Sequence, residues 1–464
     1  MENSPPTERP REGSASRRAA LETISEVLSG PAKLPEVLAE RARVRHLSDR
    51  DRALARELAA GCVRRLASLD AVIAAFRRKD PAHVHPAVRH LLRLGVYQLL
   101  FCEGIPARAA VNETVELAHD IGQHRASGLV NGVLRAVARD VTFVTRIERE
   151  SPHALQCRPG RWAVFKSRIL PDPKRSRAAF MAVHYSYPDW LVQRWLARYG
   201  VEKTRGLCLA GNERAPVFLR PHPPLDVQGL LERLAGEGIE AAPSPSGLTL
   251  KLPPGVDTRR LKALREGACL VQDDSAAAVV PFLAPQAGER VLDLCAAPGG
   301  KACQIAAEVG PTGEVVAVDN NPGRLKRLTE NVQRLGLTNV AVVEADGRSL
   351  PDLGRPFDGI LVDAPCSNTA VLRRRLEARW RVTEKSLVAL SRLQYELALS
   401  GAQALRPGGR MVYATCTLEP EENENVLTQL VGAGPDLAME GERQLFPGLG
   451  GGDGVYMARL VRRG

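Results

Sequence analysis

From Gly267 onward, short β-branched apolar runs alternate with amphipathic helical stretches, and that alternation admits few folds. Strands are expected at 290–294, 314–318, 340–344, 358–362 and 410–415, and helices near 300–309, 321–335, 384–405 and 420–432. A helix after each strand makes the strands parallel and covers both faces, giving a doubly wound α/β sheet. Such sheets hold ligands past the carboxyl ends of their strands. The residues closing these strands are Asp293 with Cys295, Asp319, Asp346, Asp363 with Cys366, and Cys416.

The turn after the first strand is the sharpest of them. Arg290–Lys301 reads R-V-L-D-L-C-A-A-P-G-G-K, an apolar strand, a loop of small residues and a helix entered at Gly299-Gly300-Lys301. Glycine has no Cβ to hold a polar ligand off the backbone. Asp319 closes the second strand twenty residues after Gly299, where such folds grip the two hydroxyls of a ribose. The loop is not G-x-G-x-x-G, which counts against a pyrophosphate. It suits an adenosine ligand without phosphates, S-adenosylmethionine.

No histidine follows His222, so the base or metal ligand that histidine often supplies is missing from this region and the available nucleophile is a thiol. A thiol and a methyl donor suggest one reaction. Carbon 5 of a pyrimidine is too weakly nucleophilic to take a methyl group until a thiolate adds at carbon 6 and makes it an enamine. The carbon 5 proton must then leave so that the thiol is expelled. A group near the N3 edge of cytosine is also needed, and Asp363 is placed for it.

The rest of the chain frames that domain. At 464 residues it should hold two to four domains. The net charge of +11 points to a polyanion, nucleic acid first. No run approaches the ~18 apolar residues of a membrane span, and Met1-Glu-Asn-Ser-Pro-Pro lacks a signal-peptide core, so a cytoplasmic protein without membrane contact is expected. The nine cysteines are scattered with no C-x-x-C pair, which disfavours zinc and disulfides. Residues 1–16 read as a disordered tail. From 17 to 138 apolar residues recur at helical spacing, as in Leu91-Leu92…Val96-x-x-Leu99-Leu100, for an all-helical domain of six or seven helices. Three stretches there, beginning at Ser48, Leu91 and Leu129, resemble the NusB fold, an RNA-binding helical domain. Residues 139–183 hold seven basic residues against one acid between Arg158 and Arg177, with Trp162 and Phe165 among them, and read as a basic linker open to an RNA role. Residues 184–265 mix helix and strand as a small α+β, ferredoxin-like subdomain, leaving 266–464 for the methyl-donor domain.

D-L-C-A-A-P-G-G-K, D-A-P-C-S and Y-A-T-C-T-L-E-P-E-E-N-E occur here together and in this order. With the NusB-like region, the chain resembles the Sun-type RNA cytosine-5 methyltransferases. The resemblance implies a Rossmann-like class I S-adenosylmethionine-dependent domain and methylation of a cytosine in small-subunit (16S) ribosomal RNA by a monomer without metal. It implies that Cys416 attacks carbon 6, that Cys366 helps release the product, and that Asp363 meets both base and methyl. Cys295, Ala296, Ala297, Pro298, Gly299, Gly300 and Lys301 would hold the methionine end of the donor, Asp319 the ribose and Asp346 the adenine. Two departures stand out. Asn368-Thr369-Ala370 puts alanine where the family has glycine, and Arg373–Arg375 with Arg379 replace an R-R-H-P segment, either as phosphate contacts or as a solvated face. The rivals are the same chemistry on transfer RNA or another RNA, and a NusB-type assembly factor without catalysis.

Overall fold

A computed structural model describes residues 14–77, 84–433 and 436–464. Contacts divide the chain into two compact units: one runs to Asn212 and takes in Arg375–Arg381, and the other comprises Glu213–Arg374 and Val382–Gly464. Among the described residues no helix is long and apolar enough to cross a membrane.

In the first unit, seven α-helices among the described residues lie between Ser14 and Asp140. Ser14–Ser16 open the first of them, and the rest of the expected tail lies outside the described residues. Helix Asp49–Arg64 starts where the Ser48 hydroxyl accepts the Asp51 amide at 3.1 Å, and helix Pro86–Phe101 supplies the core with Leu91, Leu92, Val96 and Tyr97. A Cβ on Gly61 would sit 1.9 Å from the Tyr97 ring, so the crossing of these two helices requires glycine there.

The stretch expected as a linker is ordered instead. Val141–Val144, Ala154–Arg158 and Arg161–Phe165 form a three-stranded antiparallel sheet. Leu155, Ala163 and Phe165 are buried in it, an apolar set masked in the sequence by the surrounding arginines. Helix Asp189–Ala210, expected in the α+β subdomain, clusters with this first unit.

The replaced R-R-H-P segment also departs from both expectations. Arg379 is fully buried in the first unit, donates to the carbonyls of Arg64, Ser186 and Gly211, to Asn212 Oδ1 and to the Tyr187 hydroxyl at 2.8–3.0 Å, and lies 3.8 Å over the Tyr187 ring. Trp380 Nε1 donates to the Val63 carbonyl at 2.8 Å. In the second unit Arg373 and Arg374 share Asp453, and Arg374 also reaches Asp273 at 2.7 Å. These guanidiniums are consumed by internal acceptors; Arg375 is the exposed one.

The second unit opens with a four-stranded antiparallel sheet ordered Ala242–Pro243, Leu250–Lys251, Phe218–Pro221, Cys269–Val271, its last strand lying past the expected boundary at 265. Then comes the large sheet: β1 (Arg290–Leu294), β2 (Glu314–Asp319), β3 (Val340–Glu344), β4 (Phe357–Asp363), β5 (Leu405–Thr415), β6 (Leu437–Leu445) and β7 (Val455–Arg462). Helices α1 (Gly300–Val309), α2 (Pro322–Arg334), α3 (Glu384–Ala404) and α4 (Glu424–Ala433) connect the strands. The order is β3-β2-β1-β4-β5-β7-β6. Five strands are parallel as expected, but β7 pairs antiparallel with both β5 and β6, so the sheet is mixed. Alternate residues feed opposite faces: Val291, Ala317, Leu361 and Val412 one core, Leu292, Val318, Val362 and Tyr413 the other.

Candidate active site

The loop from β1 to α1 needs unusual backbone. Cys295 has φ 62° and Gly299 φ 100°, and a Cβ on Gly299 would meet Leu328 Cγ at 2.9 Å. The loop is pinned from the neighbouring strand, where Asp319 accepts the amides of Ala297 at 3.2 Å and Asn321 at 3.0 Å while Arg324 approaches its carboxylate at 3.4 Å. Burial, then the charges of Asp363 and Asp319, pushes the Cys295 thiol up to about 12, so it is no nucleophile.

Asp293 is fully buried at the end of β1, and neither carboxyl oxygen has a hydrogen-bond partner among the described residues. Burial first, then Asp363, holds its pKa well above the carboxylate range. An orphaned buried acid beside a small-residue loop fits a ligand that brings its own donor, such as the amino group of a methionine moiety. Asp346 follows β3 beside Asp319, where the Ala345 amide donates to the Asp319 carbonyl at 3.2 Å. Its carboxylate is gripped by Arg348 at 2.6 Å, and it lines a shallow depression with Ser349, Glu396 and Ser400.

The acceptor side lies at the ends of β4 and β5. Lys301 Nζ meets Asp363 Oδ2 at 2.6 Å. Burial pulls the lysine down, but Asp363 and Asp293 outweigh it and the ammonium is held above its ordinary value. Cys366 Sγ and Cys416 Sγ are 2.9 Å apart. The Cys416 amide donates to Cys366 Sγ at 3.2 Å, and Cys416 Sγ donates to Asn368 Oδ1 at 3.4 Å. The hydrogen bond to Cys416, then burial, raises the Cys366 pKa well above the thiol value, so Cys366 keeps its proton.

The structure thus brings together Cys366 with Cys416, and Asp363 with Lys301. Asn368 is a site residue that sequence reasoning passed over. It takes the left-handed conformation of this loop (φ 65°), and its Nδ2 donates to the Cys366 carbonyl at 2.7 Å. Ala370, the expected difficulty, is not left-handed; its amide donates to the Cys416 carbonyl at 3.1 Å. Glu422 was also missed, because an acid in P-E-E-N reads as helix N-terminal charge. It is fully buried instead and bonded to both cysteine loops.

Comparison with known proteins agrees with this architecture. Residues 280–461 match the 16S rRNA methyltransferase RsmB/F model, 14–139 the NusB family, and 187–257 the RsmF/B-like ferredoxin-like domain. Ribosomal RNA small subunit methyltransferase B of Salmonella paratyphi B is 34% identical over 460 residues, covering 96% of this chain and 98% of the relative; that of Salmonella dublin is 33% identical over the same span. A methyltransferase homologue from Pyrococcus horikoshii, 25% identical, aligns with TM-score 0.56 over 62% of this chain and 99% of its own. The crystal structure of PH0851, 23% identical, covers all of both chains at TM-score 0.76 and shares the fold. The chain belongs to the RsmB/F methyltransferase family.

Proposed function

We propose that the protein methylates carbon 5 of a cytosine in 16S ribosomal RNA, in the cytoplasm, through a transient bond from Cys416 to carbon 6 of the base. The observation that carries this reading is the pair of sulfurs 2.9 Å apart at the ends of two parallel strands, in the unit that holds the Lys301–Asp363 pair and the glycine-bearing loop. The names of the relatives favour small-subunit ribosomal RNA, and the net charge of +11 suits any RNA.

S-adenosylmethionine, when bound, supplies an electrophilic methyl group. The loop 295–301 and Asp293 would hold its methionine end, Asp319 its ribose and Asp346 its adenine. Cys416, as thiolate, adds to carbon 6, and the electron pair released toward carbon 5 makes that carbon the nucleophile. Asp363, braced by Lys301, accepts from the exocyclic amine of cytosine, a donor uracil lacks. After carbon 5 is methylated its proton passes to a water molecule acting as base, the ring regains its double bond and the carbon–sulfur bond breaks with its electron pair going to Cys416. Cys366 keeps its thiol proton and donates it as a hydrogen bond to the departing sulfur, lowering the cost of that thiolate.

Cys366→Ala tests the assignment of roles. The expected result is a protein–RNA adduct that survives denaturing electrophoresis and disappears in the double variant with Cys416→Ala. No retained RNA in the single variant would refute the release role. Bisulfite sequencing of ribosomal RNA from a deletion strain tests the substrate: one position should become convertible.

A further inference from the structure

Glu422 touches neither sulfur, yet it joins the two segments that carry them. Its Oε1 accepts from the Ser367 amide at 2.8 Å and from Gln394 Nε2 at 2.9 Å; its Oε2 accepts from Thr417 Oγ1 at 2.9 Å and from the Ser367 hydroxyl. Ser367 follows Cys366 directly, and Thr417 follows Cys416 directly. Gln394, reaching in from α3, also donates to the carbonyl of Pro365, the residue before Cys366, at 2.9 Å. Thr417 Oγ1 is in turn 2.8 Å from Ser367 Oγ and 2.9 Å from Thr369 Oγ1.

The acid itself is anchored from behind. The Tyr413 hydroxyl donates to the Glu422 carbonyl at 2.6 Å, and Asn423 Nδ2 donates to the Thr417 carbonyl at 3.2 Å. A buried carboxylate with four donors is rigid, since moving it leaves several polar groups unpaired. Here the donors bracket both thiols. A side chain that bonds both cysteine loops and neither sulfur need not be an acid for folding alone; charge is what lets one group gather four donors.

We propose that Glu422 is a positioning residue that sets the separation of Cys366 and Cys416, and through it the rate of methyl transfer. The inference rests on the reading of Cys416 as nucleophile and Cys366 as its partner in release.

The full-length protein tests it with two readouts. Diamide, whose azo bond takes one hydrogen from each of two thiols and becomes a hydrazine, joins Cys366 to Cys416 as a disulfide; its rate, followed by peptide mass, reports how often the sulfurs meet. Single-turnover methyl transfer to 16S ribosomal RNA reports the chemistry. Glu422→Ala is expected to slow disulfide formation about tenfold and methyl transfer roughly 100-fold, the scale of a misplacement near 1 Å. Affinity for S-adenosylmethionine should change less than about twofold, and Glu422→Gln, which keeps the shape and most of the bonds, should restore both rates to within about tenfold of wild type. Wild-type rates in Glu422→Ala would overturn the inference. Should that variant not fold, Thr417→Val decides, because it removes one arm of the clamp at constant volume: slower disulfide formation supports the role and an unchanged rate overturns it. The two readings separate cleanly. If diamide coupling slows in the variant but wild type leaves cytosine unmethylated, positioning stands and the methylation reading falls. If wild type methylates carbon 5 and both rates survive Glu422→Ala, positioning alone falls.

Discussion

The two sides of the strand-end rim are built on opposite plans. At the ends of β4 and β5, side chains do the work: Cys366, Asn368, Ser367, Thr417, Gln394 and Glu422 are bonded to one another and leave the sulfurs 2.9 Å apart. At the ends of β1 and β2 the wall is backbone and small residues, held in left-handed turns at Cys295 and Gly299, and the buried Asp293 has no hydrogen-bond partner among the described residues. One side is bonded within itself; the other is the side proposed to take the methyl donor. A nucleophile must be aimed in advance, whereas a bound donor can supply its own hydrogen bonds.

The largest effect should come from the pre-built side. Cys416→Ala is expected to lower methyl transfer on the order of 10⁴-fold while RNA binding, read by filter retention, stays within a few-fold of wild type. Methylation retained in that variant would break the contrast at once.

On the other side, Asp319→Ala removes the carboxylate proposed to hold the ribose and the acceptor of the Ala297 amide together. The KM for S-adenosylmethionine should rise about 10- to 100-fold, with a smaller change in kcat, because the chemistry of the sulfurs is untouched. Equal losses in both constants would show that the two sides are not separable.

Asp293 sharpens the comparison through pH. Its pKa is raised in the folded state, so the stability it contributes is present below the unfolded carboxyl pKa and is lost as pH rises through the folded value. Asp293→Asn should therefore raise the melting temperature of the ligand-free protein at pH 7–8 by a few degrees, flatten its pH dependence and weaken binding of the methyl donor. A melting temperature that falls at pH 8 would contradict the orphaned-acid reading.

The smallest effect is expected at Ala370. Because that residue is not left-handed, Ala370→Gly gains nothing in backbone freedom and should cost about 0.5–1 kcal/mol of stability, read by denaturant unfolding, with methylation unchanged.

Much of this was legible in the sequence, for identifiable reasons. The parallel strands and their helices were readable because central strands such as β1 and β2 are buried on both faces and so appear as unbroken apolar runs, while the exposed edge strand β3 still shows a β-branched run. Strands β6 and β7 escaped, since they form an antiparallel edge whose alternation is diluted by charge, as in L-A-M-E-G-E-R-Q-L. The sheet within 141–165 was hidden by arginines that surround a small apolar set. The thiols and Asp363 were legible from their motifs, but the helpers were not. Glu422 and Arg379 are charged residues that sequence logic assigns to solvent, and only the fold shows the acceptors and donors that let them be buried.

The central claim is a bond between the sulfur of Cys416 and a cytosine ring. RNA carrying 5-fluorocytosine, incubated with the protein and S-adenosylmethionine, tests it most directly, because fluorine at carbon 5 blocks the elimination that frees the sulfur. The expected result is a denaturant-stable adduct mapping by peptide mass to Cys416. An adduct at Cys366, or none under conditions where unmodified RNA is methylated, would contradict it.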